Sequence, residues 1–148
     1  MSGGISQDRN IGEQVTVRQN AGGVPPQTLT GSTVVSGGVV DRRALNDPLS
    51  CVLHVAGGTV TGAPTSATVT GQLQHCATSN GTFANYGSAL TVDVTSGGAE
   101  ASENIDLDGA LEFVRSTLTP AFTSGTSPGV PASATVVFGG GQELPSVA

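Results

Sequence analysis

From residue 30 onward, hydrophobic and polar positions alternate along most of the chain with a period of two. Residues 50–56 show the pattern clearly, since Cys51, Leu53 and Val55 share one face and His54 falls on the other. Similar alternation, with occasional interruptions, recurs in residues 32–40, 66–74, 90–94, 101–107, 111–122 and 132–138. A period of two places one face of an extended strand on a core and the other in water. The pattern therefore predicts a series of β-strands.

Turn-forming residues separate these runs at intervals of about ten to fifteen residues, which is the spacing of an all-β sandwich or jelly roll. Examples are Gly57-Gly58, Gly97-Gly98 and the Ser79-Asn80-Gly81 segment. Gly37-Gly38 predicts a turn or bulge inside residues 32–40. The best helical candidate, residues 108–113, is very short. We predict a single β-sandwich or jelly roll of about eight antiparallel strands.

The last two runs are long and apolar. Residues 111–122 and 132–138 are joined by a Ser-, Thr-, Gly- and Pro-rich loop, and we predict that they form a hairpin. Pro120 cannot donate a ladder hydrogen bond, so it predicts an edge or a bulge near the end of the first strand.

Residues 1–30 differ from the rest of the chain. They contain glycine pairs, Pro25-Pro26 and many polar residues, with one short alternation at residues 14–18. We expect an extended N-terminal arm over residues 1–30 and the sandwich over residues 31–148. The arm either docks on something else or is a frayed tail.

Composition narrows the function further. The 148-residue chain favours one domain, and only 11% of its residues are charged, with a net charge of −6 and no lysine. This balance argues against nucleic-acid binding, which needs a basic surface. No apolar run approaches the ~20 residues that span a bilayer, and the leading residues lack the features of a signal peptide. We therefore expect no membrane contact and synthesis in a reducing cytoplasm.

Candidate chemistry is sparse. Cys51, His54, His75 and Cys76 match no common zinc spacing, so we expect Cys51 to be a small core residue and His75 to end a strand. The acidic residues between positions 93 and 112 lack the ligand series of a calcium loop and indicate a solvated edge that resists aggregation. We expect no metal, no cofactor and no enzyme activity.

One series of segments supports a resemblance. Its members are Asp41-Arg42, CVLHV at 51–55, ATVTGQLQH at 67–75, GTF at 81–83, IDL at 105–107, FVR at 113–115, LTPAF at 118–122 and SATVVFGG at 133–140. The series resembles the small structural proteins encoded in head-gene regions of tailed bacteriophages and prophages. It is similar in particular to the jelly-roll cement proteins that decorate phage capsids. The resemblance covers about residues 30–145.

The resemblance implies a structural virion protein that is made in the bacterial host cytoplasm and binds the outer surface of a phage capsid. It would stabilise the capsid by bridging subunits of the major capsid protein. Its partners would be that protein and its own copies, as a homodimer or homotrimer, with no nucleic acid and no membrane.

Two groups of residues are candidates for the capsid contact. In the arm, Val15, Val17 and Arg18 would add a strand to a sheet of the shell or of a neighbour. Arg42 and Arg43 would pair with acidic shell residues through forked hydrogen bonds, or they simply belong to a solvated loop. The loop at residues 123–131 is a third candidate.

The alternative function is a carbohydrate-binding or adhesin-like β-sandwich. Such a module predicts an exposed aromatic residue or a calcium site. Tyr86 is the one obvious aromatic candidate, because the Phe residues mostly fall on the core parity.

Overall fold

A computed structural model describes residues 22–139 and, for their backbone only, residues 15–18. It contains ten strands and one short 3-10 helix in this part of the chain. The strands are β1 (Val15–Arg18), β2 (Val24–Thr30), β3 (Val35–Ser36), β4 (Val40–Asp41), β5 (Ser50–Gly57), β6 (Ser66–Cys76), β7 (Ala84–Asp93), β8 (Ala99–Asp106), β9 (Phe113–Thr123) and β10 (Gly129–Gly139). The 3-10 helix, η1, spans Arg42–Leu45.

The strands form two antiparallel sheets of five strands each. In the first sheet β10 lies between β5 and the successive strands β1 and β2, and β8 flanks β5. In the second sheet β9 lies between β6 and the successive strands β3 and β4, and β7 flanks β6. When each successive pair is counted as one interrupted strand, two four-stranded sheets remain, and the chain passes between them as in a jelly roll. The predicted fold class is confirmed.

The core lies between the two sheets and is built from the inward positions of the alternating runs. Leu53 and Val55 on β5, and Val69 and Leu73 on β6, are fully buried, and Phe138 on β10 is 2% exposed. Each such side chain contributes roughly 1.5–3 kcal/mol through its burial. The two-residue alternation therefore identified the core faces of these strands correctly.

The predicted hairpin at the end of the chain is wrong. The strands β9 and β10 exist, but they belong to opposite sheets, because β9 pairs with β6 and β10 pairs with β5. Alternation specifies which face of a strand is buried, and an inward face fits either sheet of a sandwich equally well. Residues 124–128 therefore carry the chain from one sheet to the other.

Pro120 occupies the kind of position that was predicted. It pairs with Val69 of β6 on one side of β9. On the other side β3 reaches only to the level of Leu118, and no strand among the described residues pairs with β9 at Pro120. Pro120 lacks a backbone N–H, and it lies where no strand on that side of β9 would accept a hydrogen bond from it among the described residues.

Two glycine pairs, Gly22-Gly23 and Gly37-Gly38, connect the two sheets, and the second pair lies at the break between β3 and β4. Gly22 donates to the carbonyl of Gly38 at 2.6 Å, and its own carbonyl accepts from the backbone and side chain of buried Ser116 at 2.7 and 2.5 Å. A Cβ added at Gly37 would collide with the backbone carbonyl of Gly23. This glycine clasp requires the close backbone approach that only glycine permits. It also confirms the predicted interruption at Gly37-Gly38.

The sandwich begins before residue 31, where the sequence boundary was expected. Val24 and Leu29 of β2 are 0% and 1% exposed and belong to the core. Because β2 pairs with β10, residues 24–30 are a structural strand of the first sheet.

Helical structure occurs at a place that the pattern did not predict. Residues 108–112 form a turn and bend, and the chain enters β9 at residue 113. The 3-10 helix η1 instead follows β4, and the described part of the chain has no helix long and apolar enough to cross a membrane.

Candidate interaction surface

Arg42 is a buried structural residue. Asp41 accepts a hydrogen bond from the backbone N–H of Arg43 and so begins η1, while Asn46 ends it in the left-handed conformation. This turn directs the Arg42 side chain inward, where only 8% of the residue is exposed. Its guanidinium donates to the carbonyls of Ala110 at 2.5 Å, Leu111 at 3.2 Å and Pro48 at 3.3 Å.

These three hydrogen bonds correct the expectation of an exposed arginine pair. Arg42 ties the segment before β5 to the segment before β9, and its guanidinium has little surface left to offer a partner. The signal that could have revealed this is local. An aspartate before the pair and Asn46-Asp47 after it are the boundary residues of a short helical turn.

Arg43 points the other way, into solvent. Its side chain is 67% exposed and forms ion pairs with Asp41 at 3.7 Å and with Glu112. Because both carboxylates are themselves partly exposed, these pairs contribute little to folding. The guanidinium is therefore held in place by η1 and the start of β9 and is still accessible.

Two exposed leucines lie beside this arginine. Leu49 is 41% exposed and Leu111 is 45% exposed. The Arg42 guanidinium bonds both to the carbonyl of Leu111 and to that of Pro48, which precedes Leu49, so the backbone segments that carry the two leucines lie close together. Both leucines are thus exposed at the same end of the sandwich as Arg43.

Strand register brings the arm strand to the same end of the sandwich. Val15 pairs with Gly139, Gly139 pairs with Ser50, and Ser50 pairs with Asp106. Adjacent strands lie about 4.8 Å apart, so the backbone of Val15 is about 10 Å from that of Ser50, next to Leu49. We call the end defined by Val15, Gly139, Ser50 and Asp106 the arm end.

The predicted arm residues are placed only in their backbone. Val15, Val17 and Arg18 lie on β1, which pairs antiparallel with β10 of the same chain. Their side chains lie outside the described residues, as does the arm before residue 15. The predicted alternation therefore does form a strand, and within the single chain its partner is the first sheet of the sandwich.

The third predicted contact, the loop at residues 123–131, lies at the opposite end. It leaves β9 at Thr123 and enters β10 at Gly129, whereas β10 reaches the arm end at Gly139. An 11-residue strand is about 36 Å long. The structure thus brings β1 and Arg43 to one end and separates them from this loop.

The cysteines and histidines do not form a metal centre in the described part of the chain. Cys51 lies in the core on β5 and His54 lies on the outer face of the same strand. His75 and Cys76 lie on β6 in the other sheet, and no group of three potential ligands is found among the described residues. Burial raises the pKa of the Cys51 thiol from its ordinary value of 9.0 to about 12, against the opposing effect of the Arg42 charge.

One catalytic-type motif was missed in the sequence. Residues 125–129, GTSPG, match the Gly-x-Ser-x-Gly pattern of a nucleophile elbow, and Ser127 has a positive φ of 45°. A nucleophile elbow joins a strand to a helix. Here the segment joins β9 to β10, so the geometry is that of an inter-sheet loop.

A groove lies between the edge strands of the two sheets and reaches the arm end at Asp106. It has a volume of about 400 Å³ and is lined by Tyr86, Gly87, Ser88, Glu103, Asn104, Ile105 and Asp106. We call it the β7–β8 groove. The Tyr86 hydroxyl donates to the carbonyl of Asp106 at 2.6 Å, and its ring packs against His75 at a centroid distance of 4.8 Å.

A bulge in β7 forms one wall of this groove. Gly71 of β6 pairs with Leu90 of β7, and Leu73 pairs with Tyr86. Between these two pairs the chain advances by two residues on β6 and by four on β7, so β7 contains the extra residues of the bulge. The side-chain amide of Gln72 fills the bulge by donating to the carbonyls of Tyr86 at 3.1 Å and Gly87 at 3.2 Å. Gly87 supplies the required positive φ of 75°. A glycine inside a strand pattern was the signal for this bulge.

No protein-family model and no curated protein sequence matches the chain. Among solved structures, PBSX exported protein XepA is similar over 90% of this chain, with a TM-score of 0.59 and 10% identity. This chain spans 40% of XepA, and the likeness concerns the fold alone.

Two further solved structures represent two different classes of protein. A xylan-binding domain of carbohydrate-binding module family 22 matches over 88% of this chain and 90% of its own, with a TM-score of 0.45 and 11% identity. The acid-stable capsid of Helicobacter pylori bacteriophage KHP30 matches over 89% of this chain and 94% of its own, with a TM-score of 0.43 and 12% identity. A shared fold does not by itself decide a function.

Proposed function

We propose that this chain is a structural virion protein that binds the outer surface of a phage capsid and stabilises it by bridging major capsid protein subunits. It acts without catalysis, as a homodimer or homotrimer. The contact surface is the arm end, with the arm, Arg43 and the two exposed leucines as its parts.

The convergence of these parts at one end carries the proposal. Arg43 and the arm strand were predicted separately as contacts, and they lie at the same end of the sandwich, the strand through its register and Arg43 because its neighbour Arg42 bonds to Pro48 just before β5. Leu49 and Leu111 add exposed apolar side chains at the same end as the charged Arg43 and Glu112. Protein interfaces commonly combine an apolar centre with a polar rim that includes arginine.

Buried Arg42 gives this surface its rigidity. Because its guanidinium holds the carbonyls of both loops, the backbone beside Leu49, Leu111 and Arg43 is held in place before any partner binds. A surface that is ordered in advance loses less conformational entropy on association. The rest of the sandwich is a stiff body that transmits the contact from one shell subunit to another.

The stabilising effect follows from mass action. A protein that binds the assembled shell, and not the separated subunits, lowers the free energy of the assembled state. A weak single contact suffices, since each copy contacts two or more shell subunits and many copies act together.

Co-sedimentation tests the proposal. The full chain is mixed with expanded heads of the tailed phage whose genome encodes it, and bound copies per head are measured after centrifugation through a sucrose gradient. We expect saturable binding that Arg43→Glu weakens about tenfold, because the charge reversal opposes an acidic partner. Thr126→Glu adds a negative charge at the opposite end and serves as the matched control.

Two results would reject this assignment. Failure of the full chain to bind heads at any concentration would reject the capsid function. Loss of binding in Thr126→Glu with unchanged binding in Arg43→Glu would move the contact to the loop at residues 123–131.

A carbohydrate-binding module is the alternative function. Its one aromatic candidate, Tyr86, has its hydroxyl bonded to Asp106 and its ring packed against His75. Stacking on a sugar needs an open aromatic face. The packing of Tyr86 therefore supports carbohydrate binding less well than the arm end supports capsid binding. A glycan array probed with the full chain would support it if saccharides bound and heads did not.

A further inference from the structure

The free edge of β8 carries unpaired backbone groups among the described residues. The backbone N–H of Leu107, just after β8, donates to the carbonyl of Leu49, just before β5, at 2.8 Å. Leu107 and Leu49 are therefore a hydrogen-bonded pair of the antiparallel ladder. Hydrogen-bonded pairs alternate along an antiparallel ladder. The odd-numbered residues of β8 therefore bond to β5, and the backbone groups of the even-numbered residues face away from it.

The Tyr86 hydroxyl agrees with this assignment, because it reaches the carbonyl of an even-numbered residue, Asp106. Ser102 and Asn104 lie on the same edge, and no backbone hydrogen bond on this side is found for them within the described chain. An open strand edge of this kind is a template for another extended chain.

The edge is acidic, and one carboxylate faces inward. Glu100 and Asp106 lie on the exposed outer face of β8, and no basic residue occurs on this strand. Glu103 has the inward parity of Ala101 and Ile105, is half-buried and lines the β7–β8 groove. It makes no hydrogen bond or ion pair with any other described residue, whereas Glu100 lies 3.5 Å from His54.

We propose that the free edge of β8 binds an extended basic segment of a partner protein by strand addition, with one cationic side chain in the β7–β8 groove beside Glu103. This contact uses the edge of β8 and the groove, and not Arg43 or the two exposed leucines, and it goes beyond the capsid attachment proposed above.

The ladder geometry places that cation. An added antiparallel strand would exchange backbone hydrogen bonds with Ser102 and Asn104. Its residue opposite Glu103 would then belong to a non-hydrogen-bonded pair, in which the Cα atoms lie about 4.5 Å apart and the side chains are closest. Both side chains of that pair point into the groove. Opposite charges at such a position stabilise strand pairing, and like charges oppose it.

Two other occupants fit the groove less well. A divalent cation needs several oxygen ligands, and no group of three candidate side chains is found in the described part of the chain. A sugar would have to use Tyr86, whose hydroxyl is already bonded.

The inward glutamate also has a simpler explanation, which the experiment must separate from binding. Charged side chains on edge strands prevent sheets from pairing with one another. If this were the whole role of Glu103, its neutralisation would promote self-association, and no basic strand would bind the unmodified protein.

The test uses the full-length chain and the acetylated, amidated peptide Thr-Val-Thr-Arg-Thr-Val-Thr. When its arginine lies opposite Glu103, its valines lie opposite Ala101 and Ile105, and its inner threonines pair with Ser102 and Asn104. Binding is followed by two-dimensional amide NMR. We expect shift changes centred on Ser102, Asn104 and Gly87.

Three comparisons make the result specific. Glu103→Gln should weaken binding about two- to fivefold, while Glu100→Gln on the outer face should change it less than twofold. A peptide with glutamate in place of arginine should bind more weakly still. Methylation of the two inner threonine amide nitrogens should abolish binding, because it removes the donors of the added strand.

The inference is overturned if the methylated peptide binds as well as the parent, or if Glu103→Gln leaves the affinity unchanged. It is equally overturned if the unmodified chain binds no peptide and Glu103→Gln only makes it self-associate. Shifts in the groove caused by Ca²⁺ or by xylohexaose, without peptide binding, would assign it to a metal or a saccharide. Head co-sedimentation is scored separately through Arg43, so either proposal can fail while the other stands.

Discussion

Replacement of each of two adjacent arginines by methionine should reduce stability by very different amounts. Arg42→Met removes the donors for three carbonyl oxygens, of which that of Pro48 is buried and those of Ala110 and Leu111 are partly buried. Hydrogen bonds to charged groups contribute about 1.5–3 kcal/mol each. Two effects reduce this loss: the methionine variant does not have to bury a charge, and water can hydrogen-bond to the two partly buried carbonyls in place of the guanidinium. We therefore expect a net loss of about 2–4 kcal/mol.

Arg43→Met is the matched control for stability. Its side chain is 67% exposed and its ion pairs are near the surface, so its removal should cost at most about 1 kcal/mol. For a chain of this size, 1 kcal/mol corresponds to about 2–4 °C in Tm. The Tm should thus fall by about 5–15 °C in Arg42→Met and by no more than about 4 °C in Arg43→Met.

Urea unfolding followed by far-ultraviolet circular dichroism measures both variants, with calorimetry for Tm. Head co-sedimentation of Arg43→Met, which should stay folded at the assay temperature, tests its binding role. Equal stability losses in the two variants, or a larger loss in Arg43→Met, would refute the assignment of Arg42 as the structural residue and Arg43 as the accessible one.

Three further predictions test the fold. Gly37→Ala should lower the free energy of unfolding in urea by more than about 2 kcal/mol, because the new Cβ would collide with the backbone of Gly23. Gly109→Ala is the control and should be nearly neutral, because its Cβ would lie at an ordinary contact distance of 3.5 Å from the Tyr86 hydroxyl. Burial raises the pKa of the Cys51 thiol from 9.0 to about 12, so the thiol ionises in the unfolded state before it does in the folded state. The free energy of unfolding should therefore decrease as the pH rises above about 9, by up to about 1.4 kcal/mol per pH unit. Cys51→Ala should reduce this slope. Gln72→Ala should leave two carbonyls of the β7 bulge without their donor and increase amide exchange at Gly87, measured by NMR; unchanged exchange would show that the bulge does not depend on this amide.

The alternation of residues predicted the strands and their core faces well. It worked because burial of one face is a local property, and Leu53, Val69 and Phe138 are buried as their parity requires. It could not assign a strand to a sheet. The residues of β10 fit the core from either side, and only the register with β5 decides, which depends on residues about 80 positions away. The supposed final hairpin failed for this reason.

The candidate site was predicted in part. The alternation at residues 14–18 did mark a strand, and the partner of that strand within the chain is β10. The burial of Arg42 escaped prediction because a charged residue after a strand usually faces water. The residues at its boundaries could have marked η1, but the inward position of Arg42 also depends on carbonyls of Ala110 and Leu111, which lie 68 and 69 positions away.

The placement of charge argues that the two proposed contacts serve different partners. Of the three arginines with described side chains, Arg42 is buried and Arg115 stacks on Phe83 at 4.3 Å, so Arg43 at the arm end is the most accessible cation among them. The edge of β8 presents Glu100 and Glu103, and ends at Asp106 beside the arm end. A partner surface that complements Arg43 is acidic, and one that complements β8 is basic. Because like charges oppose each other across an interface, a single partner patch cannot satisfy both, and the same molecule can engage two surfaces of opposite charge at once.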